Sequence, residues 1–290
     1  MKVLILGGSG MLGHQLYRTL APAVETYVTF RSRSRVIDDL FGDERSCFQV
    51  DALNFDSVRN ALHVIKPTWV VNCIGIIKQL AKDPEAMLSV NSRFPHRLAR
   101  LCNEVGAKLI HISTDCVFDG EAGNYTEGDT PDATDLYGRT KALGEPYQLG
   151  AITLRTSIVG TSLFSDVSLL DWFIAHGNDT VRGYTQAIFT GLTTEALSWA
   201  ILRSIENNIT GGLWHVASDK ISKYELLCRV RDALGLKAQI LPDYDFKCDR
   251  SLNGTKFRSY SCVLPPPTWN KMIESYARDR RDYYRWKPIG

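Results

Sequence analysis

Val3-Leu4-Ile5-Leu6-Gly7-Gly8-Ser9-Gly10-Met11-Leu12-Gly13 decides the fold of this 290-residue chain. Four apolar residues in a row read as a buried strand, and the apolar spacing across Met11–Leu20 reads as a helix. Glycines 7, 10 and 13 stand between them. In that place glycine permits a tight turn and lets backbone N–H groups at a helix N-terminus approach a pyrophosphate, while Gly13 allows the helix to lie close on the sheet. The stretch predicts a strand, a phosphate-binding turn and a helix.

Outward from it, short β-branched runs alternate with longer helical patterns, the signature of βαβ units around a parallel sheet. Lys2–Leu6, Thr26–Phe30, Cys47–Val50, Thr68–Cys73, Lys108–Ser113 and Ile152–Thr156 read as strands. Met11–Leu20, Asp56–Ile65, Glu85–Val105 and Leu136–Leu149 read as helices. The expected fold class is α/β, a doubly wound Rossmann-type sheet with a smaller C-terminal lobe. Beyond Thr156 the alternation loosens into helices at Ser165–His176, Thr194–Glu206 and Ser222–Leu234, a strand at Leu213–Val216 and a break at Pro265-Pro266-Pro267. Ser222-x-x-Glu225 is a capping box, and Gly235 is its C-terminal stop. Residues 1–157 are therefore expected to hold the nucleotide, and 158–290 mainly the substrate, with 190–217 returning to the first domain.

Apolar residues make up 44% and charged residues 23%, enough for a sizeable core rather than a disordered chain. Lys+Arg 34 against Asp+Glu 32 leaves no bulk field for nucleic acid or an anionic membrane, so anionic ligands must be met locally. Seven cysteines without metal spacing read as reduced thiols in a cytoplasmic protein. The start imitates a signal peptide up to Ala21-Pro22-Ala23, but His14, Gln15 and Arg18 interrupt it. No apolar run reaches the ~18 residues of a membrane span. The tail Arg278–Lys287 mixes arginine with Tyr283, Tyr284 and Trp286, and its acidic residues favour an amphipathic helix docking on the protein over nucleic-acid contact.

The second strand runs into Arg31-Ser32-Arg33, where an NAD-preferring site would carry an acidic residue for the ribose 2′-hydroxyl. A guanidinium there suits a 2′-phosphate, so NADPH is the expected cofactor, with NADH possible and a merely solvated basic loop as the alternative. Asp51 either accepts from the adenine amino group or simply flanks the next helix. Tyr137 and Lys141 lie four apart, hence on one helical face. Tyr283 and Lys287 share that spacing but follow no strand, and read as surface. Before the first pair, Ser113 and Thr114 end a strand, where α/β sheets bind ligands. A phenol near pKa ~10 exchanges protons poorly at neutral pH, and a neighbouring lysine cation is expected to favour the phenolate. Thr114 is expected to hold a substrate carbonyl, Tyr137 to protonate it and Lys141 to support both.

The G-x-x-G-x-x-G spacing resembles the extended branch of the short-chain dehydrogenase/reductase superfamily. Ser113-Thr114-Asp115-x-Val117-Phe118-Asp119-Gly120, Tyr125-x-Glu127-x-x-x-Pro131 and Tyr137-Gly138-x-Thr140-Lys141-x-x-Gly144-Glu145 resemble the dTDP-4-dehydrorhamnose reductase family. Leu154-Arg155-Thr156-Ser157 and Arg250-Ser251-Leu252-Asn253 are similar to further pieces of it. The resemblance spans the chain, close around the Tyr137 helix and loose after about Ile158. It implies NADPH-dependent reduction of the 4-keto group of a nucleoside-diphosphate 4-keto-6-deoxyhexose by Thr114, Tyr137 and Lys141, in a monomer or homodimer. It places Gly7, Ser9, Gly10, Met11, Leu12, Arg31, Ser32, Arg33, Asp51, Ala52, Leu53, Cys73, Ile74, Gly75, Ser113, Tyr137 and Lys141 at the cofactor. Substrate contacts are expected from Lys78, Thr114, Asp115, Tyr137, Arg182, Arg250 and Asn253, with Arg182, Arg250 and Lys78 as the cations for a diphosphate. The loop Ile76-Ile77-Lys78-Gln79-Leu80 lacks the aromatic and acidic residues common in rhamnose enzymes, which leaves sugar and base open. A nucleotide-sugar epimerase or dehydratase is the alternative enzyme. A non-catalytic NADP-binding regulatory subunit is the alternative of another class, since relatives of the family include a subunit of methionine adenosyltransferase.

Overall fold

The computed structural model describes residues 1–78, 83–209, 211–260 and 266–283. Gln79, Leu80, Cys262, Pro265, Tyr284, Trp286 and Lys287 lie outside the described residues. The first half contains β1 (Lys2–Leu6), β2 (Glu25–Thr29), β3 (Ser46–Cys47), β4 (Trp69–Asn72), β5 (Lys108–Ile112) and β6 (Ile152–Arg155). Its helices are α1 (Met11–Leu20), α2 (Arg35–Phe41), α3 (Phe55–Ile65), α4 (Pro84–Met87), α5 (Phe94–Val105) and α6 (Leu136–Leu143). Then follow β7 (Ile158–Val159), α7 (Leu169–Ala175), β8 (Thr180–Phe189), β9 (Leu192–Thr193), α8 (Thr194–Glu206) and β10 (Gly212–His215). The chain continues through β11 (Ile221–Ser222), α9 (Lys223–Leu234), β12 (Gln239–Asp249), α10 (Thr255–Ser259) and α11 (Trp269–Tyr283).

Seven parallel strands form one sheet in the order β10-β6-β5-β4-β1-β2-β3. The order reverses between β1 and β4, so the crevice beyond their carboxyl ends is where such a sheet receives a ligand. Successive residues of β1 face opposite sides: Leu4 and Leu6 join a core with α3 and α5, while Val3 and Ile5 join one with α1 and α8. The second core continues through Phe173, Phe189, Leu226, Val230 and Ile273, so the later residues share it. Two smaller sheets, β11-β8-β12 and β7-β9, complete the molecule.

Several elements differ from expectation. The helix expected over Glu85–Val105 contains a π-helical turn at Leu88–Arg93 between α4 and α5. The one expected over Leu136–Leu149 stops at Leu143. Pro146 has no N–H to continue it, and a Cβ on Gly144 would fall 1.8 Å from Asn91 O. β3 ends at Cys47 rather than Val50. α2, β8 and β12 carry weak sequence signals: Gly183 and Ala187 dilute the alternation of β8, and β12 is an edge strand that exposes most of its residues. Ser222 Oγ accepts from Glu225 N at 3.1 Å, and Gly235 ends α9 at φ +68°, as the capping pattern requires. α11 buries Trp269, Met272, Ile273, Tyr276 and Ala277, and its Arg280 donates to Thr161 Oγ1 at 3.0 Å.

Candidate active site

The glycine turn is built by close approach. Gly7 has φ +88°, and a Cβ on Gly13 would stand 2.1 Å from Gly7 O, so α1 can seat against the turn only without a side chain there. Thr29 Oγ1 accepts from Gly7 N at 3.2 Å, tying the turn to the end of β2. Gly10 and Ser9 remain at the surface of the turn, whereas the Leu12 side chain is in the core and only its backbone can face a ligand. A Cβ on Gly7 would touch Ile74, so the turn lies against the loop after β4. Asn72 shapes that loop: its Oδ1 accepts from Ile74 N at 3.1 Å, and its amide meets His111 Nδ1 at 3.0 Å.

Lys141 closes the path from glycine turn to strand β5. Its Nζ donates to Ile112 O at 2.7 Å and lies 4.0 Å from where a Cβ of Gly75 would be. Burial lowers its pKa to about 8. One turn earlier, Tyr137 is half-buried. Burial is the largest influence on its phenol and raises its pKa; the neighbouring Cys116 adds to this and Thr114 opposes it. The expected lowering by Lys141 is not among the leading influences on this phenol; desolvation is the largest. Gly138 makes the approach possible, because a Cβ there would fall 2.2 Å from Cys116 O. Thr114 is buried; its hydroxyl accepts from Cys116 N at 3.1 Å and donates to Asp115 Oδ1 at 3.2 Å. Thr114, Tyr137, Lys141 and the glycine turn thus form one continuous surface at the carboxyl end of the sheet.

A buried network invisible in the sequence supports that surface. Arg155 and Glu145 pair in a fork, Nε to Oε1 and Nη2 to Oε2, each at 2.8 Å and each side chain 2% exposed. Ser113 Oγ donates to Glu145 Oε1 at 2.6 Å, so its hydroxyl is held inward and only its backbone is left for the expected cofactor contact. Arg155 also lies 5.1 Å from the Phe118 ring centroid, and Phe118 stacks on Tyr125. Asn91, in the π-helical turn, grips Ile76 by accepting from its N and donating to its O, both at 2.9 Å. Such turns recur at functional sites, but nothing in apolar periodicity announces one.

The remaining candidates divide. Arg31 and Ser32 are exposed, and among the described residues no ion pair holds Arg31. Arg33 is engaged by Asp38 at 2.8 Å and by Asp43, and lies over Phe48, so Arg31 is the guanidinium left for a phosphate. Asp51 Oδ1 accepts from Leu53 N at 2.9 Å; Ala52 is buried in the core and Leu53 is exposed. Cys73 is partly buried beside Lys141, and burial pushes its thiol up to about 12. Arg250 reaches the site: its Nε donates to Phe118 O at 2.9 Å and its Nη1 meets Cys116 Sγ at 3.6 Å. Arg182 does not. It lies seven residues before Phe189 on β8, roughly 23 Å of strand from the end near the site, and its exposed head pairs with Asp243 at 3.4 Å. Lys78 is exposed and 3.7 Å from Asp135, which caps α6. Asn253 Oδ1 accepts from Thr255 N at 3.0 Å, in the turn that leads into α10. Asp115 is buried, and burial raises its carboxyl pKa while Lys223 and Arg250 lower it. Lys223, on α9, is the cation that sequence reading missed.

A doubly wound sheet with a glycine turn and a Tyr/Lys helix beside a strand-end threonine defines the extended short-chain dehydrogenase/reductase class. Residues 1–261 match the model of the RmlD substrate binding domain, and the chain belongs to that family. It is 28% identical to rat "Methionine adenosyltransferase 2 subunit beta" over 256 residues, 83% of this chain and 74% of that protein. It is also 28% identical to "Probable low-salt glycan biosynthesis reductase Agl14" of Haloferax volcanii over 268 residues, 84% of this chain and 86% of the other. Among solved structures, dTDP-4-dehydrorhamnose reductase of Bacillus anthracis, in complex with NADP, superposes with TM-score 0.80 at 22% identity, covering 96% of this chain and 99% of that one.

Proposed function

We propose that this protein is an NADPH-dependent reductase of the 4-keto group of a nucleoside-diphosphate 4-keto-6-deoxyhexose, serving deoxysugar donor synthesis. The observation that carries the reading is the continuity of glycine turn, Lys141, Tyr137 and Thr114 at one end of the sheet. The site fits the cofactor: the turn has no side chain over Gly10, and Arg31 is open to a 2′-phosphate. Gly7–Leu12 would hold the pyrophosphate, Arg31 and Ser32 the 2′-phosphate, and Cys73–Gly75 the ribose region. When bound, NADPH supplies the hydride. Residues 1–157 with 190–217 would carry the cofactor, and the later segments the sugar nucleotide.

The chain's own residues then do three things. Thr114 fixes the carbonyl oxygen of the substrate, a positioning role whose worth lies in orientation. Tyr137, a phenol that is protonated at neutral pH, donates its proton to that oxygen as carbon 4 is reduced. Lys141, anchored on Ile112 O, presents its ammonium to the cofactor ribose and to the developing phenolate. The six described cysteines are free thiols, which supports a cytoplasmic setting. Among the described residues no helix is long and apolar enough to cross a membrane.

The likeness to a regulatory subunit supplies the competing reading, and the complete Thr114–Tyr137–Lys141 set argues against it. NADPH consumption with a panel of 4-keto-6-deoxy sugar nucleotides tests the choice. Turnover is expected, and Tyr137→Phe should lower kcat by about 10²–10⁴ with NADPH affinity unchanged. No turnover of any sugar nucleotide, with Tyr137→Phe indistinguishable from wild type, overturns the reductase.

A further inference from the structure

Lys223 is a cation in a place where three effects disfavour charge. It is half-buried as the first residue of the twelve-residue α9, where the helix dipole opposes a positive side chain. Burial lowers its pKa, and the neighbouring Arg250 guanidinium lowers it further. Its Nζ stands 3.6 Å from the Phe189 ring centroid, and among the described residues no carboxylate lies within ion-pair distance of it. The attraction that keeps it charged comes mainly from Asp115, the residue after Thr114.

Arg250 converges on the same spot from the end of β12. Its backbone N donates to Ile188 O at 3.0 Å, and its Nε and Nη1 are fixed by Phe118 O and Cys116 Sγ. Among the described residues no partner holds its Nη2. Two cations thus face one buried carboxylate, leaving a partly desolvated excess of positive charge beside Thr114. The Phe189 ring offsets only part of the cost of taking a cation out of water, and a ligand anion would offset the rest. The other two candidates for that task, Arg182 and Lys78, are exposed and neutralised elsewhere.

We propose that Lys223 and Arg250 together receive the diphosphate of the substrate, with Lys223 as the specificity-determining cation contributed by the second lobe. The proposal rests on the sugar-nucleotide reading above. The geometry suits it, because the phosphate on carbon 1 of a hexose lies just across the ring from carbon 4. With the carbonyl held at Thr114, that phosphate would be the group left for Lys223 and Arg250 to receive. Arg250 gives the planar fork and Lys223 the mobile point charge.

Calorimetric titration of the full chain, saturated with NADP⁺, with inorganic pyrophosphate, dTDP and UDP decides the matter without requiring turnover. Wild type should bind at least one of the three. Lys223→Met should weaken that binding on the order of ten- to a hundredfold, as expected for a charge-assisted hydrogen bond. Lys223→Arg should restore it to within a few fold, and NADP⁺ affinity should be equal in all three proteins. On any sugar nucleotide that is turned over, Lys223→Met should raise KM more than it lowers kcat. Diphosphate binding equal in wild type and Lys223→Met, or absent from wild type that binds NADP⁺, overturns the proposal. Failure of the reductase reading is separate, seen as diphosphate binding that depends on Lys223 with no turnover of any sugar nucleotide.

Discussion

The glycine turn and the Lys223–Arg250 pair are built in opposite ways. The turn comes from eleven consecutive residues, and its tightest approach is backbone against backbone, at Gly13 on Gly7 O. The cation pair comes from α9 and the end of β12, brought to Cys116 and Phe118 from more than a hundred residues away. A site made of backbone is readable from spacing, because only glycine fits it. One made of side chains carried on distant elements depends on their docking.

The sharpest way to break that contrast is to remove what holds the catalytic end together from below. Glu145→Gln leaves the buried Arg155 guanidinium without its carboxylate, and breaking such a pair costs about 3–5 kcal/mol. Denaturant unfolding should show that loss. A variant as stable as wild type would mean that Ser113 and Thr114 are held without the network.

A smaller effect should appear in the pH profile. With Lys141 at about 8, its proton is lost as pH rises through that value, so kcat/KM should fall about tenfold per unit above pH 8. The sign for stability is the reverse. Between about 8 and the ordinary lysine value of 10.5 the unfolded chain binds the proton that the folded chain does not, so this group's contribution to stability rises with pH across that window. A flat kcat/KM from pH 7 to 9.5 would remove Lys141 from proton control.

The smallest expected effects separate the arginines. Arg31→Ala should weaken NADPH by about tenfold relative to NADH, since it removes one charged contact to a phosphate. Arg182→Ala should change neither cofactor affinity nor KM measurably, because its exposed pair with Asp243 is screened by water. If Arg182→Ala raised KM tenfold, the second lobe would have to close much farther over the crevice than its strand geometry allows.

Legibility followed the range of the forces. β1, α1, β4, β5, α6, the Tyr137–Lys141 face and the capping of α9 were all readable, since each depends on periodicity or on a residue type within a few positions. Arg250, expected as a substrate cation, lies against Phe118 and Cys116. The π-helical turn that places Asn91 was not readable, because it changes the phase of a helix without changing its composition. Arg182 was misread because an arginine on an unrecognised strand has no assigned position, and Lys223 was missed because a lysine in a helix's first turn ordinarily faces water.

By itself the sequence determined the class of fold, the glycine turn and the shared helical face of Tyr137 and Lys141, all consequences of local sterics and spacing. Only the tertiary structure decided how far desolvation acts on Tyr137, that Ser113 turns inward to Glu145, and which cations lie near Asp115. Electrostatics depends on what lies nearby in space and on how much water is excluded, and neither is a property of neighbours along the chain.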